Sequence, residues 1–187
     1  MQNNFNTTLP PKTLPTIELE NCILREKKES DTEDFLAYYS NPDVNQYILA
    51  TPPYDFESAR RELMYYKSYF QYNQGAYFAI ADKETDKMIG VIGVMNLNHL
   101  HNRCEISYDL DQNYWKKGIM TNAVKAVCDF AIENFKIHRI EAVILKENIA
   151  SDKLLTKCGF TLEGRIRDYK YFKGKYYDIQ LYSKINV

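Results

Sequence analysis

At roughly 150 residues per domain, the 187 residues of this chain suit one domain with a short appendage and exclude a second full domain. Apolar residues make up 45% and charged residues 26%, near ordinary globular usage, which excludes disorder for the bulk of the chain. Lys and Arg number 24 and Asp and Glu 25, so the net charge is −1, and nucleic acid is disfavoured as the main partner because phosphate-backbone binding needs a surplus of cations.

The first segment, MQNNFNTTLPPKTLPT, is polar and carries Pro10, Pro11 and Pro15, so residues 1–16 are read as a flexible arm and residues 17–187 as the folded domain. Ile17 to Lys27 suits a strand. Ser30-Asp31-Thr32-Glu33 then has the form of a capping box with Ser30 as N-cap, opening a helix that ends near Asn41-Pro42. From Glu57 to Tyr72, Ala59, Leu63, Tyr66 and Phe70 recur at helical spacing. Three runs, Ala76 to Ala81, Met88 to Leu97 and Arg103 to Leu110, are separated by turn-length polar links and predict an antiparallel meander.

Gly118 to Phe135 carries Val124, Val127, Ala131 and Phe135 on one helical face, and the β-branched run Arg139 to Leu145 follows as a strand. A short helix with Leu154 and Leu155 closes at Gly159, and Tyr169 to Ser183 alternates around a Lys173-Gly174 turn. These elements predict a single α/β domain with a mixed, mostly antiparallel central sheet and flanking helices.

Cys22, Cys104, Cys128 and Cys158 are widely spaced and form no C-x-x-C pair, so the thiols are read as reduced and the protein as cytoplasmic. No apolar run approaches the roughly 18 residues of a membrane span. The three histidines are His99, His101 and His138; His99 and His101 sit in a loop that is read as having no carboxylate or cysteine at ligand spacing, so no metal is expected.

The chemistry concentrates in Tyr108-Asp-Leu-Asp-Gln-Asn-Tyr-Trp-Lys-Lys-Gly118-Ile-Met-Thr121, where a strand ends in a polar loop that enters a long helix at a glycine. The first turn of a helix has unpaired amides and the positive end of the dipole, and Lys116 and Lys117 add charge, so a pyrophosphate can sit there. A capped strand-to-helix junction with solvated lysines is the alternative. Neither a P-loop nor a G-x-G-x-x-G fingerprint is present.

Five segments fall in a familiar order: Glu105-Ile-Ser-Tyr108, Tyr114-Trp-Lys-Lys-Gly118-Ile-Met-Thr121, His138-Arg-Ile-Glu141, Asn148-Ile-Ala-Ser151 and Cys158-Gly-Phe160-Thr-Leu-Glu-Gly164. On these the chain resembles the GCN5-related N-acetyltransferases (GNAT), over roughly residues 17 to 185. Glu163-Gly-Arg165-Ile-Arg-Asp168 and Tyr177-Asp-Ile-Gln-Leu-Tyr182 make it similar to the branch that acetylates ribosomal-protein N-termini. The resemblance implies acetyl-CoA as co-substrate, an amine acceptor, and direct transfer without a covalent cysteine. It also implies a cleft between two central parallel strands, Arg103 to Leu110 and Arg139 to Leu145.

Residue by residue, the resemblance maps the family's pyrophosphate loop onto Trp115-Lys116-Lys117-Gly118-Ile119-Met120, with Thr121 following. Trp115 and Met120 depart from the polar first and small last positions of that motif. Tyr108 and Leu110 on the preceding strand, with Asn148 and Ser151, would line the pantetheine arm. Ser151 would lie near the thiol and Glu105 would take the proton from the amine. Family members often have a tyrosine four residues after that serine as proton donor to the thiolate, where this chain has Leu155.

Each assignment has a structural alternative. Alternation along the strand sets Glu105, Ser107 and Asp109 opposite Cys104, Ile106, Tyr108 and Leu110, so Glu105 could be a solvated sheet charge. Asn148 and Ser151 could be helix caps. The basic and aromatic segment from Arg165 to Tyr177 reads as a solvated hairpin, with an RNA or acidic-substrate contact as its rival. The expected function is N-acetylation of a peptide or ribosomal-protein α-amine. A detoxifying acetyltransferase for polyamines or amino-bearing antibiotics and a non-catalytic CoA-binding module are the alternatives, and a homodimer is left open.

Overall fold

A computed structural model describes residues 13–186. The arm expected over residues 1–16 lies, up to residue 12, outside the described residues, and Leu14 already packs against the core.

The chain begins with two short strands, β1 (Ile17–Glu18) and β2 (Cys22–Arg25), rather than the single strand expected over Ile17 to Lys27. They form a hairpin that turns at Glu20-Asn21, with Leu19 N–H donating to the Cys22 carbonyl. A 3-10 turn over Glu29–Asp31 leads into α1 (Thr32–Tyr39), so Ser30 is not the N-cap. Asp31 takes over this corner: its carboxylate accepts from the Lys28 N–H and from both terminal nitrogens of Arg25, and satisfying this buried pair draws the turn one residue earlier.

Pro42 starts a one-turn helix, α2 (Pro42–Asn45), capped by the Asn41 side chain on the Asp43 N–H. Asp55 caps α3 (Phe56–Gln71), which buries Ala59 and Leu63 as the spacing predicted. The meander follows as β3 (Ala76–Asp82), β4 (Met88–Asn98) and β5 (Arg103–Leu110), antiparallel throughout. Then come α4 (Ile119–Phe135), β6 (Arg139–Leu145), α5 (Ile149–Lys157), β7 (Thr161–Phe172) and β8 (Lys175–Ile185). The last hairpin starts at Thr161, eight residues before the alternation at Tyr169 announced it.

These eight strands make one sheet in the order β1-β2-β3-β4-β5-β6-β8-β7, and every neighbouring pair is antiparallel except β5 and β6. That parallel pair holds only at Arg103 opposite Arg139, Cys104 opposite Ile140 and Glu105 opposite Glu141. Beyond Glu105 the two strands diverge, opening the cleft that the resemblance implied. Two cores flank the sheet. The larger joins α4 to Phe78, Ile92, Cys104, Ile106, Ile140 and Ile144, and the smaller joins α1 and α3 to Tyr77, Ala79 and Val91 on the other face.

Candidate active site

The wedge between β5 and β6 is the approach to two adjoining cavities. The larger, about 730 Å³, runs from the start of α4 to the start of α5 and is bordered by Leu110, Lys116, Gly118, Ile119, Met120, Thr121 and Lys153. Gly118 sits at φ +79 as N-cap of α4, a conformation that glycine adopts freely, and no side chain caps the helix. The amides of Ile119, Met120 and Thr121 are therefore left as donors without an intrahelical acceptor, and a Cβ at Gly118 would meet nothing within 4 Å. This end of the cavity thus combines free donors, a helix N-terminus and the Lys116 cation, the set that a pyrophosphate needs.

Lys117 is elsewhere. Its ammonium lies 4.9 Å over the Tyr114 ring, and the side chain does not border the cavity. Trp115 is not core but part of the cavity's border, and its indole N–H donates to the Leu110 carbonyl at 2.8 Å, which pins the loop to the end of β5.

At the inner end, the Asn148 side-chain oxygen accepts from the Ser151 N–H at 3.1 Å, so Asn148 is the cap of α5. Asn148 and Ser151 both border the cavity at this end. Tyr108 Oη is buried without a well-formed hydrogen bond and lies close to Ser151, an orphaned donor facing the place where the two cavities meet. Leu155 is fully buried in the large core, so no side chain from that position reaches the cleft. The arrangement fits the phosphate and amide-bearing arm of acetyl-CoA.

The second cavity, about 370 Å³, lies on the α1 and α3 side of the sheet. Tyrosines dominate its wall: Tyr39 from α1, Tyr65, Tyr66 and Tyr69 from α3, and Tyr77 from β3. Its floor is the polar face of β5, where the three alternating side chains each have a partner. Glu105 accepts from Asn96 at 3.1 Å, Ser107 bonds Tyr77 at 2.9 Å, and Asp109 accepts from the Tyr38 hydroxyl at 2.7 Å. Asn96 reaches Glu105 because a bulge in β4, between Met95 and Asn98, turns the backbone to φ +55 there.

Asp109 keeps an opening to the cleft while protein surrounds the rest of it, and loss of hydration pushes its carboxyl up to about 7 against the pull of the Tyr38 hydrogen bond and of Lys27. Sequence reading treated Asp109 only as acidic company for Glu105. Its place four residues along the same strand face was the one available signal, since Tyr38 lies 71 residues away in the chain.

The acetyltransferase (GNAT) domain model matches residues 21–161, three-quarters of the chain. The protein is a GNAT acetyltransferase. As a member of that family it is an acetyl-CoA-dependent acyltransferase. A Bacillus licheniformis protein described as an uncharacterized N-acetyltransferase, p20, is 34% identical to this acetyltransferase over 170 residues, 91% of this chain and 96% of that protein. The crystal structure of ribosomal-protein-S5-alanine acetyltransferase from Vibrio fischeri is similar at a TM-score of 0.80 and 29% identity, covering 92% of this chain and 97% of that one. Spermidine N(1)-acetyltransferase of Escherichia coli (strain K12) is 26% identical over 87 residues, 46% of this chain and 47% of that protein.

Proposed function

We propose that this acetyltransferase acts in the cytoplasm on a peptide or protein N-terminal α-amine, with a ribosomal protein as the foremost acceptor class. The observation that carries the reading is the tyrosine-walled cavity that meets the larger cavity at Tyr108, Asp109 and Ser151. Tyrosines offer flat apolar area with hydroxyls at the rim, which suits the first residues of an extended peptide. Lys170 also borders this cavity and opposes a polycation. Proton arithmetic agrees: an α-amine with a free pKa of about 7.7–8.0 is roughly a tenth neutral at pH 7, whereas a lysine near 10.4 is neutral about four times in ten thousand.

Acetyl-CoA supplies an activated thioester carbonyl. In this reading the amides from Gly118 to Thr121, with Lys116, hold its pyrophosphate, and Tyr108, Leu110 and the Asn148 side chain orient its amide-bearing arm, while Lys117 stays on the Tyr114 ring. Ser151 sits by the sulfur, and a carboxylate on the polar face of β5, Glu105 by family pattern, relieves the amine of its proton. Gly118→Pro removes an N–H and forbids the left-handed φ, so CoA binding in calorimetric titration should weaken at least about tenfold.

A second reading has one observation in its favour. Glu105 and Asp109 are four residues apart on one strand, about 13 Å at roughly 3.3 Å per residue, a span that two ammonium groups of a polyamine could bridge. The deciding measurement is kcat/KM for Ser- or Ala-initiated peptides, for the same peptides N-terminally blocked but carrying a free lysine, and for spermidine. The α-amine peptides should lead by at least tenfold. A preference for spermidine would overturn the α-amine reading in favour of small-amine detoxification, a preference for the blocked peptide would overturn it in favour of lysine side chains, and turnover of none would also overturn it by placing the acceptor outside these classes.

A further inference from the structure

Among the described residues, six border both cavities: Tyr47, Ile48, Tyr108, Asp109, Asn148 and Ser151. Only Asp109 among them is charged. Glu105, the carboxylate that the family pattern points to, borders the acceptor cavity alone and is tied to Asn96 at the bulge. A base for the acceptor amine must stand where the amine meets the acetyl group, within hydrogen-bond reach or one water of the nitrogen. We propose that Asp109 is the proton-accepting carboxylate of the acetyl transfer, with Tyr38 and the buried Lys27 as its positioning residues.

Lys27 is the second observation. It is 2% exposed, its ammonium has no hydrogen-bond partner among the described residues, and it lies 5.2 and 5.0 Å over the rings of Tyr66 and Tyr77. Asp31, the other carboxylate near it, is taken up by Arg25 at 2.8 Å. A buried cation with only ring faces for company needs a nearby negative charge, and Asp109 is the one left to supply it.

The groups facing Asp109 are few. Lys27 comes from the segment after β2, Tyr38 and Tyr39 from α1 and Glu62 and Tyr66 from α3; β4 presents the Val91 backbone. Tyr77 from β3 is engaged with Ser107. Lys27 and the Tyr38 hydroxyl favour the ionised carboxylate, whereas burial and Glu62 oppose it, and the balance leaves it titrating near neutrality. That is where a base is both deprotonated often enough and basic enough to act at pH 7.

In this role Asp109 takes one proton from the acceptor's ammonium. The nitrogen lone pair so freed forms the C–N bond to the acetyl carbon as the C–S bond breaks with its electrons on sulfur; the nitrogen then gives up its second proton through solvent to that sulfur, leaving a neutral amide and a free thiol, and Asp109 returns its proton to solvent. The inference rests on acetyl transfer in this cleft but not on the choice of α-amine, so it is tested with the Ser-initiated peptide or, if that is not turned over, with spermidine.

Asp109→Asn should lower kcat at least about 100-fold with CoA affinity held within twofold, and Glu105→Gln should cost less than tenfold. An Asp109→Asn enzyme within threefold of the parent, or a larger loss from Glu105→Gln, overturns the assignment. Tyr38→Phe keeps the ring and removes only the hydrogen bond, so if Asp109→Asn does not fold, the acid limb of kcat/KM against pH should still move upward in Tyr38→Phe and in Lys27→Met. A limb that stays in place in both overturns it. A readout free of any substrate completes the test: in protein labelled with 13C-aspartate, one carboxyl should titrate near neutral pH and move upward in Lys27→Met, whereas a set that all titrate near 4 overturns the proposal.

Discussion

The two faces of β5 differ in what each asks of its neighbours. One face sends Cys104, Ile106 and Leu110 into the core beneath α4, where each is nearly inaccessible and finds its partners by shape. The other presents Glu105, Ser107 and Asp109 to a tyrosine-rich wall, and each finds a specific hydrogen-bond partner from another element or another strand. A single period-two alternation thus separates what holds the sheet together from what the cleft can do. The core face tolerates any good fit, whereas the polar face depends on particular atoms at particular distances.

Three experiments break or sharpen that contrast. On the core face, Ile106→Ala leaves a cavity between β5 and α4 and should cost about 2–5 kcal/mol in denaturant unfolding. A loss under 1 kcal/mol would mean that this face is less well packed than its burial indicates.

On the polar face the ionisation of Asp109 sets a pH dependence of the opposite character. Its folded-state pKa of about 7 lies above the unfolded value near 3.9, so between those limits the folded protein holds a proton that the unfolded chain releases. Stability should therefore fall as pH rises from about 4 to 7, with a slope of up to about 1.4 kcal/mol per pH unit, and Asp109→Asn should remove that component. Lys27, whose pKa burial pulls down to about 7, acts in the next window: stability should rise from pH 7 towards about 10.4, and Lys27→Met should flatten that rise. Melting temperatures across pH 4–10 for the parent and both variants check the two signs.

The smallest effect belongs to Ser107→Ala, which removes the bond to Tyr77 and should cost about 1 kcal/mol. It should raise KM for the acceptor rather than for acetyl-CoA, because Ser107 borders the acceptor cavity alone. An equal change in both KM values would erase the division between the two cavities.

The same contrast explains what could be read from the sequence. α4 was legible because Val124, Val127, Ala131 and Phe135 repeat at helical spacing, and all four are buried. The loop ending at Gly118 was legible because its chemistry is local: one glycine, one helix start and a neighbouring cation. α2 was missed, since four residues are too short to show a period. The first half of β7 was missed because Thr161 to Asp168 is exposed at nearly every position and so carries no alternation. The partners of Asp109 were invisible for a different reason: Lys27, Tyr38 and Glu62 come from three separate parts of the chain and meet only through the tertiary fold. Local pattern predicts surfaces, and it does not predict which distant side chain will complete a charge.

The three-pair contact between β5 and β6 makes the sheet two antiparallel halves, residues 17–110 and 139–185, joined along a short seam. At the seam Arg103 and Glu105 pair with both β4 and β6, and residues 139–141 pair with both β5 and β8, whereas beyond Glu105 and Glu141 each strand has a neighbour on one edge only. In hydrogen-exchange terms, β5 and β6 should therefore carry slower amides along the seam than where they diverge. α4 packs against strands of both halves, so it is the clasp across this line, and a ligand that fills the wedge should act as a temporary ninth strand, slowing exchange in both halves at once.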